Sequence, residues 1–334
     1  MLQRLFFNIF CLFLILNSAS AQTIQLLNTD GELSFRGLSV VDDNVVWVSG
    51  SKGTVGKSID GGKTFQWMQV KGYEQCDFRD IEAFSKDVAI IMAISEPAYI
   101  LKTTNGGKSW KKVYENATKG MFLDAMDFFD EKHGVVIGDP INGFFFIAQT
   151  KDGGKTWKET YHGYYLTADS SEACFASSGT NIRLFSQQRF GFVSGGMFSR
   201  FCKGNEMMPL PILQGGKTTG ANSFAFKDSL TIIVVGGDFS DLQAGPTCVF
   251  TKDGGKTWVT STLPPSGYKS CVEFLEGDTW ICCGLSGVDI TNDNGKTWTK
   301  ISTDSFHACR KAKKGNMVYL SGGKSRIGKM IKIN

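Results

Sequence analysis

Basic, acidic and amide side chains recur at matching places along this 334-residue chain. Arg36, Arg79, Glu172, Asn222, Lys269 and His307 each open an apolar segment, and Leu123 holds the same place in a seventh. The next position brings Asp80 and Asp124, and Asp139, Glu96 and Asp238 follow later apolar runs. Guanidinium groups suit carboxylate or phosphate recognition, and carboxylates beside them can accept hydrogen bonds or act as acids. Arg36, Arg79 and Lys269 are therefore candidates for an anionic group, with Asp80, Asp124, Asp139, Glu172, Asn222 and His307 completing the set. A solvated, self-neutralising channel mouth would use the same residue types. His133, His162 and His307 are far apart in sequence and no Cys-x-x-Cys pair occurs, so no metal ion is expected. No Gly-x-Gly-x-x-Gly turn follows a strand, and no cofactor is expected.

The elements that must position these residues come from a repeat. One octapeptide recurs as SIDGGKTF (58–65), TTNGGKSW (103–110), TKDGGKTW (150–157 and 251–258) and TNDNGKTW (291–298). Its polar third residue is Asp60, Asn105, Asp152, Asp253 or Asp293, and Trp110, Trp157, Trp258 and Trp298 close four copies. The starts lie 45, 47, 101 and 40 residues apart, so the long interval holds two units, one without the octapeptide. A period of about 45 residues is that of a four-stranded propeller blade. Asp-Gly and Asn-Gly favour a two-residue hairpin turn with positive φ. The closing Trp is expected to pack between blades, and local turn chemistry accounts for the whole octapeptide as structure. The repeat also explains 39 glycines, about 12% of the chain against a usual share of roughly 7%.

These residues resemble the Asp-box, or bacterial neuraminidase repeat, Ser/Thr-x-Asp-x-Gly-x-Thr-Trp, with Asn105 and Asn294 departing from it. The order in VVWVSGSKGTVGKSIDGGKTFQWMQV (45–70) is most similar to the photosystem II stability and assembly factor group of propellers. The resemblance implies an all-β, seven-bladed β-propeller of four-stranded antiparallel blades, with each box between third and fourth strands. It also places function at the opposite end of the ring, where inner strands begin. In that register, first strands start near Phe35, Phe78, Phe122, Glu172, Asn222, Tyr268 and Phe306. The last unit ends after its third strand, 326–333, so the N-terminal segment 23–29 is expected to close the last blade.

Residues 1–21 read as a signal peptide: Arg4, the apolar run 5–16, then Ala19-Ser20-Ala21 before Gln22. A single propeller domain over 22–334 is expected to be exported, periplasmic or extracellular, without a stable membrane anchor. The eight remaining cysteines read mainly as buried small apolar residues. A formal charge of +4 gives no case for nucleic acid. The leading functional expectation is a non-catalytic, monomeric binding or assembly protein with a protein or carbohydrate ligand at its polar funnel. The tyrosine-rich insertion 161–171 is a further candidate contact there. A sialidase-like glycosidase is the alternative; it needs an arginine cluster, a Tyr–Glu pair and an acid. The chain has eight arginines, and FRGL (35–38) stands where sialidases carry Arg-Ile-Pro. An oxidoreductase with an unrecognised cofactor is the third reading.

Overall fold

The computed structural model describes residues 21–27, 31–160, 167–204, 206–243 and 245–333. Every regular element among them is a strand. Seven four-stranded antiparallel blades form a ring. Blade one comprises Phe35–Val40, Val46–Gly50, Thr54–Ser58 and Gln66–Gln69, ordered from the axis outward. The innermost strands of blades two to seven are Phe78–Ala83, Leu123–Phe128, Ile182–Leu184, Thr219–Phe226, Cys271–Glu276 and Ala308–Lys311. Composition follows radius. Second strands such as AIIMA (Ala89–Ala93) are wholly buried, whereas the outermost KKVYEN (Lys111–Asn116) is largely wet. The core therefore lies in seven wedges, each between two neighbouring blades, rather than along the axis.

The ring is closed by its own ends. Ala21–Leu27 pairs antiparallel with Ile327–Ile333 over seven residue pairs, supplying the outer strand of blade seven. Thr29 lies outside the described residues.

Each box joins a third to a fourth strand, as expected, but the turn is longer than a two-residue hairpin. Seven residues, 59–65, separate Ser58 from Gln66. Asp60 organises them: the Ser58 hydroxyl and Thr64 N–H donate to Oδ1 (2.8 and 3.0 Å), and the Thr64 hydroxyl donates to Oδ2 (2.6 Å). Gly62 N–H donates back to Ser58 Oγ (2.9 Å). These donors, led by the Thr64 hydroxyl, hold the Asp60 carboxyl down at about 2. Asp152, Asp253 and Asp293 repeat the pattern, and Asn105 keeps it by donating its amide to Ser109 Oγ (2.8 Å). The glycine at the fifth position of each box (Gly62, Gly107, Gly154, Gly255 and Gly295) has positive φ and lies against the preceding blade, as does the closing aromatic. Trp110 meets Trp47 edge-on at 6.4 Å, and Trp258 meets Phe201 at 5.3 Å.

Blade four departs from the expected register. Its inner strand is Ile182–Leu184 rather than one starting at Glu172. Glu172–Ala173 pairs instead with Gly195–Gly196, and residues 174–181 leave the sheet before the strand resumes. That blade has no box and turns from Lys203 directly to Glu206.

Candidate functional site

Several inner strands begin with a β-bulge, and the extra residue is one of the polar set. The register shifts fall between Phe35 and Gly37, Phe78 and Asp80, Leu123 and Ala125, and Ala221 and Ser223. Arg36, Arg79, Asp124 and Asn222 are the residues left over. A bulge turns a side chain out of the strand's alternation, so Arg36 and Arg79 enter the mouth of the ring, while Asp124 and Asn222 are buried behind and beneath it.

Residues 174–181 plug the channel below that mouth. Ser178 Oγ donates to Ser270 O of blade six (2.6 Å), and Arg310 Nη2 of blade seven donates to Ser178 O (2.9 Å). Thr180 Oγ1 donates to Ser223 Oγ of blade five (2.6 Å), and Arg36 Nη1 of blade one reaches Ser177 O (3.4 Å). Gly179 has φ +66°, and a Cβ there would stand 2.3 Å from the Asp80 carboxylate. The funnel is thus a blind cup of about 380 Å³ rather than an open channel.

Of the nine residues expected at the funnel, Arg36, Arg79, Asp139 and His307 line this cup. Arg79 Nε donates to Asp77 (2.8 Å) and stacks over Phe122. Arg36 has no carboxylate within salt-bridge distance among the described residues; burial and then Arg79 lower its pKa. Burial, followed by the charges of Arg36 and Arg79, pushes His307 down to about 3, so its imidazole is neutral. Its Nε2 meets Ser34 Oγ at 3.2 Å. Burial pushes Asp139 up to about 6 although Cys174 N–H donates to it at 2.9 Å. Asp124 is fully buried behind it; desolvation and the neighbouring Asp139 raise it well above the usual carboxylate range.

The other four are engaged inside the scaffold. Asp80 accepts from Met126 N–H of blade three (2.7 Å) and its own neighbour Ile81 (2.8 Å), stitching two inner strands together. Glu172 is clamped by Arg200 and the Ser194 hydroxyl. Lys269, wholly buried, pairs with Asp289 at 2.7 Å and donates to Gly287 O. Asn222 accepts from Tyr268 Oη (2.8 Å) and Ser177 Oγ (3.0 Å) beneath the cup. Of the loop carboxylates, Glu96 accepts from Gly120 N–H and Asp238 from Ser240, so Asp139 alone of the three lines the cup. Tyr161 and His162 lie outside the described residues.

Sequence reasoning missed the floor and the apolar side of the cup. Residues 173–177 form the floor; Phe239 and Leu285, both exposed, stand on its rim. Phe239 was signalled only by its place after a second-strand glycine. Spacing also hid a cluster elsewhere: Cys271, Cys283 and Cys309 bring their sulfurs within 4.8 Å of one another.

A family described as Photosynthesis system II assembly factor YCF48 matches residues 16–120, which include blades one and two with their boxes. The chain is an Asp-box propeller similar to that group. Among solved structures, YCF48 bound to D1 peptide superposes with a TM-score of 0.64 at 15% identity, covering 95% of this chain and 98% of that one. YCF48 from Cyanidioschyzon merolae gives 0.66 at 16%, covering 92% and 98%. The WD40 β-propeller domain of Doa1 gives 0.61 at 13%, covering 93% and 97%. At such identities the likeness is one of fold. No curated protein matches the chain by sequence.

Proposed function

We propose that this chain is a non-catalytic binding or assembly propeller that holds a segment of a partner protein in the cup. The observation that carries the reading is Arg36, with no carboxylate in salt-bridge distance among the described residues, beside Arg79, a neutral His307 and an apolar rim. An anionic group entering there, such as a chain-terminal carboxylate or an acidic side chain, would relieve the repulsion between the guanidinium groups. Phe239 and Leu285 offer the apolar contact that an anchoring peptide side chain needs. YCF48, which shares the fold, is bound to a D1 peptide in one structure, and this supports a peptide as the occupant. The signal-like segment 1–21 supports export, because a chain starting at Gln22 keeps almost all of the closing strand.

The glycosidase reading has less beneath it. Tyr268 donates its hydroxyl to Asn222, and Glu172 is held by Arg200, so these two do not form a nucleophile pair. The test is binding of a peptide library with free or amidated C-termini. Free or acidic termini should be preferred, and Arg36→Gln should weaken them about tenfold, a loss of about 1.5 kcal/mol. Equal binding by the variant, or turnover of any glycoside in a panel, would sink the proposal.

A further inference from the structure

Cys271 opens the inner strand of blade six, and Cys283 stands opposite it on the second strand. Cys309 comes from the inner strand of blade seven. All three are wholly buried, and their sulfurs lie within 4.8 Å of one another. Metal–sulfur bonds of about 2.3 Å in a trigonal plane would place the sulfurs about 4 Å apart, so a small contraction suffices. We propose that these three cysteines bind one thiophilic monovalent cation, copper(I), through their sulfurs.

The surroundings of Cys271 set the cluster apart from ordinary buried thiols. Arg310 Nη1 approaches its Sγ at 3.2 Å, and Cys309 N–H donates to the same atom at 3.4 Å. A guanidinium and a backbone amide aimed at one sulfur are the partners that an anionic, ligating thiolate requires. All three sit in an apolar wedge, as Cys202 and Cys248 do, so it is the Arg310 contact that distinguishes this cluster. The coordination number selects the ion. Structural zinc takes four ligands, and no fourth cysteine, histidine or carboxylate joins the group among the described residues. The Thr180 hydroxyl of the plug stands 3.8 Å from Cys271 Sγ. Three soft sulfurs suit copper(I), and Arg310 offsets part of the thiolate charge. Binding exchanges thiol protons, released to solvent, for sulfur–metal bonds, and no electron is transferred.

The test loads the reduced full-length chain with copper(I) or zinc(II) under anaerobic conditions, followed by desalting against a chelator. One copper per chain should remain, and copper should raise the melting temperature. Cys309→Ser and Cys283→Ser should lose the copper and the shift, while Cys248→Ser and Cys202→Ser keep both. Circular dichroism on every variant separates loss of the site from loss of the fold. Wild-type protein holding no more copper than Cys309→Ser would overturn the proposal. So would retention of zinc in preference to copper. A disulfide among the three cysteines, found by alkylation and mass spectrometry of the purified protein, would do the same.

Discussion

At the scale of single residues, the cup keeps charge and burial in tension. Asp139 has its carboxyl pushed up to about 6 from 3.8, so the folded state resists its ionisation. Stability from this group is full below about pH 4 and falls as pH rises through about 6. Asp139→Asn should therefore stabilise the protein by about 1–2 kcal/mol at pH 7.5, with solvent in the cup screening the rest. At pH 4 the two proteins should melt together, and thermal melts across that range read the difference directly. His307 acts in the opposite sense. Its folded value near 3 lies below the ordinary 6.5, so the stability it contributes is present above 6.5 and is lost as pH falls towards 3. Arg36 and Arg79 share this responsibility, since both depress the imidazole. A ligand that neutralises them would also make His307 easier to protonate.

At the scale of elements, the box works as a spacer between blades as well as a turn. Gly154 has φ +73°, and a Cβ there would lie 2.5 Å from Ile90 Cδ1 of blade two. Gly154→Ala should cost about 1–3 kcal/mol in urea unfolding, from backbone strain and overpacking together. Gly72 has a similar φ of +83° but open space around it, so Gly72→Ala should cost only about 1 kcal/mol. These contrasts show which parts of the architecture can be read from sequence. The box is legible because one Asp, one Ser or Thr and two left-handed residues solve a local problem whose partners lie within a few positions. Arg36 and Arg79 were legible because the bulge recurs at one place in the repeat. The plug was not: CFASSGTN (174–181) has no strand alternation, and its partners lie on blades one and three to seven. Glu172 and Lys269 take the arginines' place in the sequence repeat, yet Arg200 and Asp289, which engage them, are 28 and 20 residues away. The cysteine cluster escaped for the same reason, since strand pairing and blade order, not ligand spacing, unite its members.

At the scale of the whole molecule, the seven wedges are equivalent in kind but two are closed by residues from both the first and the last strand. Ile24 and Met330 pack against the wedge between blades six and seven, and Leu27 against that between seven and one. Deleting 22–27 would bare the Ile327–Ile333 edge and its apolar side chains. The truncated protein should melt roughly 5 °C lower or more and associate in size-exclusion chromatography as concentration rises. Calorimetry alongside the elution profile checks both. The pairing also has a direction. Ala21 faces Ile333, whereas Leu27 faces Ile327, so both chain ends leave the ladder side by side. Tension between the two termini would load that ladder one rung at a time, peeling it like a zip instead of shearing it. The closed ring thus has a mechanical opening point, where a pull on these two strands first parts it.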